Sequence, residues 1–145
     1  MRTRKLNHAT YRHLYHVVWG TKYRYKWLKP YVKKELLASF DEVCEKYPTI
    51  HVAAANVDRD HVHLQVEIAP NVAVSEAVQK LKSLTSGKIR RKFKFVREMY
   101  LDADGVWGVG YFSSTTGIDE EIIRRYITFQ GEQEAPQAQT ALGFS

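Results

Sequence analysis

The sequence is poor in the features that mark secreted, disulfide-bonded or membrane-spanning proteins. A single cysteine, Cys44, among 145 residues excludes an internal disulfide framework and fits a reducing compartment. The apolar runs are short and interrupted, so we expect none of them to cross a bilayer. The basic start lacks the long apolar core and the cleavage site of a secretion signal. Together these absences favour one globular domain in the cytoplasm.

Positive charge, by contrast, is abundant and clustered. A net charge of +6 and an isoelectric point near 9.4 suggest an anionic partner. The first basic cluster, over 22–29, is interleaved with aromatic residues, and the second basic cluster, "KIRRKFKFVR" (88–97), carries six Lys or Arg in ten positions. Cations bind phosphates and flat rings stack on unpaired bases, which favours nucleic acid over a solvated basic face with aromatics anchored in the core. The predicted nucleic-acid contacts are Lys22, Arg24, Lys88, Arg90, Arg91, Lys92 and Lys94.

Periodicity predicts the order β-α-β-β-α-β-α. The predicted strands cover 11–19, 49–57, 61–69 and a short stretch near 110–114, and the predicted helices cover 31–47, 74–92 and 118–130. This order indicates an α+β protein with a ferredoxin-like (split βαβ) antiparallel sheet, helices on one face and an additional C-terminal helix. Gly131 is expected to end that helix, so that 1–131 form the folded domain and 132–145 a flexible tail.

The stretch "DHVHLQVEIAP" (60–70) places two imidazoles on one side of a strand. Side chains two residues apart on a strand point the same way, about 6.5–7 Å apart at their Cα atoms. His61 and His63 can therefore converge on one metal ion, although many such pairs only pack in a core. None of the remaining histidines has another histidine two positions away in the sequence, and for His16 we expect core packing or a phosphate contact.

The last helix carries Tyr126 and Gln130, which share a face one turn apart. Such a pair is commonly a partly buried phenol with a polar neighbour. Set against the histidines, the two side chains could instead supply a nucleophile and a third ligand through the amide oxygen. Neutral ligands would leave a cation its full charge and open positions for phosphate oxygens and water.

These groups together suit the cutting of a phosphodiester. A divalent cation neutralises the non-bridging oxygens and orients the phosphate for in-line attack. A phenol with a pKa near 10 is ionised in only about one molecule in 1,000 at neutral pH, so Tyr126 would need activation by the metal, a nearby cation or a base. Its attack would leave DNA joined to the protein as a phosphotyrosine, which a later hydroxyl can reverse.

Four segments resemble, in order and spacing, the single-tyrosine HUH transposases, the TnpA-type enzymes of small insertion sequences that move as single-stranded DNA. The segments are "LNHATYRHLYHVVWGTKYRY", "DHVHLQVEIAP", "LKSLTSGKIRRKF" and "YITFQ", within residues 6–131. The H-hydrophobe-H strand followed by a C-terminal Y-x-x-x-Q helix is a specific pairing, and the first-strand "YHVVW…KYR" adds to the resemblance.

The resemblance implies a role for each of these residues. His61, His63 and Gln130 would be metal ligands, and Tyr126 would be the nucleophile that forms a 5′-phosphotyrosine and releases a 3′-hydroxyl. The metal would be Mg²⁺ or Mn²⁺, although imidazoles also suit zinc or nickel. The family acts as a homodimer on hairpins near element ends, and the tyrosine helix can complete the partner's site. We accordingly expect a cytoplasmic, nucleoid-associated protein of a bacterium or archaeon.

Three positions depart from the family pattern. Arg59 stands where a proline commonly precedes the histidine motif, Ser83 where glycine is common, and Gly87 where arginine is frequent. These changes put the preferred target in doubt more than the chemistry.

Other functions remain open at this point. A domesticated relative could process repeated genomic hairpins without mobilising an element, and replication initiators and relaxases share the chemistry in larger chains. A non-catalytic RNA-binding module on the same sheet would instead display Tyr11, Tyr15 and Trp19 to bases.

Overall fold

The protein contains a four-stranded antiparallel sheet with helices on both faces. The computed structural model describes the backbone of residues 13–141 and the side chains of residues 13–134. The strands are β1 (His13–Gly20), β2 (Ile50–Val57), β3 (His61–Ile68) and β4 (Phe112–Ser114), and the helices are α1 (Pro30–Lys46), α2 (Val74–Lys92), α3 (Lys94–Met99) and α4 (Glu120–Ala141). The strand order β2-β3-β1-β4 is that of a split βαβ fold, so the predicted fold class is confirmed.

Alternation along β1 divides its side chains between two cores. Val17 and Trp19 are fully buried under α1 and α2, where they pack with residues such as Phe40 and Leu81. Val18 points to the opposite face and packs against Ile123 and Ile127 of α4. The first, larger core stabilises the domain, and the second docks the C-terminal helix over the centre of the sheet.

Because helices cover both faces of the sheet, the aromatic side chains of β1 do not form the open surface that the RNA-binding alternative requires. Trp19 is fully buried and Tyr15 packs against the same core under the helices, so neither ring lies on an open sheet. Tyr11 lies outside the described residues. In the part of the chain that the structure describes, no helix has the length and apolar character needed to cross a membrane.

The C-terminal helix is longer than its sequence predicts. Asp119 caps it, since its Oδ1 accepts a hydrogen bond from the Ile122 N–H at 2.9 Å. The helix then continues through Gly131, so the expected helix end at that residue is wrong. A Cβ at position 131 would meet the side chain of Arg24, which explains the glycine by close packing instead of helix termination. The sequence also misses the short α3, which overlaps the end of the basic segment 88–97.

Candidate active site under the last helix

The two histidines of β3 face α4, as their alternation requires. In the register of the sheet His61 lies opposite Gly20 and His63 opposite Val18, the residue on which α4 packs. His61 Nδ1 donates a hydrogen bond to Asp60 Oδ1 at 2.9 Å, which orients the ring and leaves Nε2 available. Asp60 is nearly buried and also accepts from Arg24 Nη2 at 3.2 Å. The hydrogen bond from His61 lowers the pKa of Asp60, burial opposes this, and Arg24 lowers it further.

A third histidine joins this face of the sheet. His16 Nδ1 lies 3.3 Å from His63 Nε2, within hydrogen-bond distance across β1 and β3. The sequence did not predict this contact, and the core packing or phosphate contact expected for His16 stays a prediction. Burial lowers the pKa of His63, the neighbouring imidazoles of His16 and His61 lower it further, and Glu120 opposes these effects. In the sequence, the only signal was that His16 and Val18, two residues apart, lie on the same side of β1. That signal predicts a contact with His63 only once β1 and β3 are known to be neighbours.

Gln130 carries a buried oxygen atom into the same region. Its Nε2 donates to the Val109 carbonyl at 3.1 Å, whereas its Oε1 has no hydrogen-bond partner among the described residues. That oxygen occupies the space that a Cβ at position 20 would fill, and Gly20 is the residue opposite His61. A buried acceptor without a partner costs about 1–3 kcal/mol. Among the described side chains of α4, this oxygen is the buried acceptor that has no hydrogen-bond partner, so a bound cation would stabilise it.

The predicted ligands have donor atoms that suit a divalent cation, although they number only three. Two imidazoles and an amide oxygen face one region, and Asp60 supplies the supporting carboxylate that metal-binding histidines commonly have. Among residues 13–134, no three His, Cys, Asp or Glu side chains come together as a metal site. Gln130 is therefore needed to make a third protein ligand.

Tyr126 packs beside Ile123 and Ile127 on the sheet-facing side of α4, toward β4. Its ring contacts Phe112 of β4 with 6.0 Å between ring centres, and its hydroxyl lies 3.8 Å from the position that a Cβ at residue 110 would take. In the described chain no contact joins Tyr126 to His61 or His63, and β1 lies between β4 and β3. Burial and, to a lesser degree, the charge of Glu134 raise the pKa of Tyr126 to about 12. The hydroxyl is thus held protonated, away from the paired imidazoles.

Sequence reasoning missed the buried carboxylate of Glu134, because it lies beyond the expected end of the helix. Glu134 is 4% exposed. Its Oε1 accepts from the Tyr23 N–H at 2.9 Å, and its Oε2 accepts from the Val109 N–H at 3.4 Å. Tyr23 and Arg24 have left-handed backbone angles, with φ of 61° and 57°, so Glu134 binds a turn that is strained for side-chain-bearing residues.

The segment 108–110 is held between α2 and α4. On the α2 side, Lys82 Nζ donates to the carbonyls of Gly108 and Gly110 at 2.7 and 2.8 Å. On the α4 side, Val109 binds Gln130 and Glu134. Burial lowers the pKa of Lys82 to about 8, Glu134 opposes the shift, and Lys22 adds to it. The segment therefore couples the position of the tyrosine helix to the body of the domain.

The predicted nucleic-acid contacts are distributed over several surfaces. Lys88 forms ion pairs with Glu42 and Glu35, and Lys92 also lies near Glu35 at 3.6 Å. In the first cluster, Arg24 is bound to Asp60, and Lys22 lies over the Tyr23 ring at 5.2 Å. Arg91 and Lys94 are exposed, and Arg90 lines an open cleft beside α2 with Lys22 and Lys82. No single surface gathers all seven residues.

Most aromatic residues of the first cluster pack inward. Tyr25 stacks on Tyr100 at 5.7 Å with an angle of 16° between the ring planes, and Trp27 is fully buried and donates to the Tyr100 hydroxyl. Trp107 is likewise a core residue. The anchoring role that the sequence left open is therefore the correct one for these rings.

The sequence of the chain is similar to those of known transposases. A family model described as IS200-like transposase matches residues 9–130. The transposase of insertion sequence IS200 from Salmonella typhimurium is 25% identical over 141 residues, which cover 97% of this chain and 91% of the relative. The IS200 transposase of Salmonella typhi shows the same identity and coverage.

Two solved structures share the fold. A protein described as a transposase from Deinococcus radiodurans R1 superposes with a TM-score of 0.73 at 24% identity, over 88% of this chain and 97% of that one. A REP-associated tyrosine transposase bound to a REP hairpin gives a TM-score of 0.54 at 10% identity, over 87% and 68% of the two chains. At these identities the likeness shows the fold alone. The family match over most of the chain decides the assignment, and the chain belongs to the family of IS200-like transposases.

Proposed function

We propose that the chain cleaves and rejoins single-stranded DNA at hairpin-marked element ends through a 5′-phosphotyrosine on Tyr126. The observation that carries the proposal is the unbonded Oε1 of Gln130, which lies over Gly20 opposite His61. Gln130 is one helical turn after Tyr126. The helix with the nucleophile therefore also brings an oxygen ligand to the face that holds the paired imidazoles.

His61, His63 and Gln130 are the residues that would hold Mg²⁺ or Mn²⁺. When bound there, the cation would neutralise phosphate charge and orient the scissile group for in-line attack. The hydrogen bond of His61 to Asp60 fixes which ring nitrogen faces the site. Gly20 leaves room for the amide oxygen, since any side chain there would displace it.

Tyr126 supplies the attacking oxygen. Its Oη forms a bond to phosphorus while the bond to the 3′-oxygen breaks, which leaves a 5′-phosphotyrosine and, after proton uptake, a 3′-hydroxyl. A later 3′-hydroxyl reverses the step and joins a new end. With a pKa of about 12 in the docked position, the phenol is ionised in only about one molecule in 100,000 at pH 7. In this position the phenol therefore needs activation by the metal, a nearby cation or a base before it can attack.

The homodimer belongs to the same proposal, because α4 of one subunit could complete the site of its partner. The DNA contacts proposed from the sequence supply affinity through the phosphates, and the net charge of +6 favours an anionic partner of this kind. A cytoplasmic protein associated with the nucleoid is the expected setting.

A covalent-adduct assay tests the proposal. Labelled single-stranded hairpin DNA from the element ends is incubated with the protein and Mg²⁺ or Mn²⁺, and denaturing gels then reveal protein-bound label. We expect an adduct that is lost in Tyr126→Phe and kept in the matched control Tyr111→Phe, which removes a hydroxyl from a neighbouring half-buried tyrosine. Cleavage that persists in Tyr126→Phe would show a hydrolytic mechanism and contradict the proposal.

A further inference from the structure

Three aromatic rings form a surface patch on the side of the protein away from α4. Tyr31, in the first turn of α1, is 55% exposed, and Phe93 and Phe95 lie around the junction of α2 and α3. Ring centres are 5.7 Å apart for Tyr31 and Phe93, and 6.2 Å apart for the other two pairs. This set, the aromatic patch, is distinct from the buried rings of the first cluster.

The patch is rigid, because its base belongs to the main core. Phe93 and Phe95 are half-buried and pack against core residues. Val96, which follows Phe95 in the chain, is fully buried in the same core. Phe93 also joins two helices, since its N–H closes the last turn of α2. A partner that lies on Tyr31 would thus meet preformed rings at little entropic cost.

Positive charge surrounds the rings. Lys29 Nζ lies 5.0 Å from the centre of the Phe95 ring, so that the two basic clusters of the sequence meet at this point. Lys94 is exposed between the two phenylalanines. Among residues 13–134, no carboxylate lies within ion-pair distance of Lys29 or Lys94. The nearby Glu35 is offset by two lysines, Lys88 and Lys92.

The exposed Tyr31 ring, beside two half-buried rings and cations without an ion-pair partner among the described residues, suits unpaired nucleotides. Bases stack on aromatic faces irrespective of sequence, and the adjacent cations bind the phosphates. A duplex hides the faces of its bases and offers only its backbone to such a surface. The patch lies on the helical layer of α1–α3, whereas His61, His63 and Tyr126 lie on the α4 side of the sheet.

We propose that the aromatic patch is a stacking platform for unpaired bases of single-stranded DNA, separate from the site of cleavage. The inference rests on the proposed function in that single-stranded DNA is the substrate. Single-stranded DNA that extends beyond the scissile phosphate would bind the protein at a second place, which would keep the released DNA end on the protein.

Binding measurements can isolate the base from the phosphate. An oligothymidylate of about 20 nucleotides exceeds the span of about 4–16 nucleotides typical of small single-strand binders. An abasic oligonucleotide of equal length carries the same charge and no bases. The protein should bind the thymidylate more tightly, and Tyr31→Leu should reduce that preference by about 5-fold to 150-fold, as loss of one stacked base predicts.

Matched variants separate stacking from general damage. Tyr31→Phe keeps the ring and should keep the preference, and so should Leu37→Ala, which trims an exposed apolar side chain on the same helix. In Tyr31→Trp the new indole should be quenched by thymidylate and not by the abasic strand, since Trp19, Trp27 and Trp107 are all buried. Lys94→Gln should weaken binding of both strands and reduce the salt dependence.

Each outcome decides the proposal. Equal binding of the two strands by the unaltered protein, or an unchanged preference in Tyr31→Leu, would overturn it. A dimer that Tyr31→Leu converts to monomer in sedimentation would show that a second copy covers the patch instead. The adduct assay is a separate readout: an adduct with no base preference leaves the proposed function standing and removes the platform, while base preference without an adduct does the reverse.

Discussion

Glu134 gives the sharpest test of how the tyrosine helix is held. It is almost fully buried, and its carboxylate binds the N–H groups of Tyr23 and Val109. Hydrogen bonds to charged groups contribute about 1.5–3 kcal/mol, and the bond of 3.4 Å to Val109 should contribute less than the bond of 2.9 Å to Tyr23. Release of the strained turn and of the buried charge offsets part of the loss. We therefore expect Glu134→Ala to lower the free energy of unfolding by about 2 kcal/mol.

Two measurements check the expectation. Urea denaturation should show the loss of stability, with a fall in Tm of roughly 4–8 °C for a domain of this size. Glu134→Gln keeps one acceptor oxygen and should lose roughly half as much. Hydrogen exchange should become faster at the Tyr23 amide and along α4, because the helix loses its distal attachment.

Glu132→Ala serves as the control, since Glu132 is an exposed carboxylate on the same helix. If Glu134→Ala unfolds like Glu132→Ala, and the Tyr23 amide exchanges at an unchanged rate, the carboxylate does not hold the helix and the reasoning is refuted.

Three further predictions follow from the site and the basic surface. Gly20→Ala should displace Gln130 and abolish adduct formation while the protein stays folded and binds DNA; retention of full activity would show that the amide oxygen at this place is not used. The pKa of Lys82 is lowered to about 8, so between about pH 8 and its ordinary pKa near 10.5 the amine is neutral in the folded protein. In the same pH range the unfolded chain still binds the proton. The contribution of Lys82 to the free energy of unfolding should therefore rise with pH across that range. Urea unfolding of the unaltered protein should show this rise relative to Lys82→Met, and parallel pH curves would contradict it. Neutralising a triplet of basic residues should weaken DNA binding and flatten its salt dependence, and an unchanged salt slope would exclude this cluster from phosphate binding; the triplet is Arg90, Arg91 and Lys92.

The sequence predicts most of the secondary structure, because the signals are local. The predicted helix over 74–92 has the observed bounds, and, apart from the last helix, the other long elements differ by at most one residue at their described ends. The last helix is the exception. Gly131 follows its last apolar turn and looks like a stop, yet its function is to admit the side chain of Arg24, a residue more than 100 positions away in the chain.

The candidate site was likewise predictable in part from local spacing and in part only from the tertiary structure. The spacing of His61 and His63 on one strand, and of Tyr126 and Gln130 on one helix, places each pair on one side of its own element. How the pairs meet depends on strand order and helix docking. These bring Gln130 over Gly20 and direct Tyr126 toward β4.

Local periodicity thus determined most of the elements and the two pairs of candidate side chains, and composition determined the excess of positive charge. Only the tertiary structure decided that His16 contacts His63, that Glu134 binds the turn at Tyr23, and that Tyr31 joins Phe93 and Phe95. The physical reason is range. Backbone periodicity is set by neighbours a few residues apart, whereas a contact between distant residues exists only after the sheet has ordered its strands and the helices have packed on it.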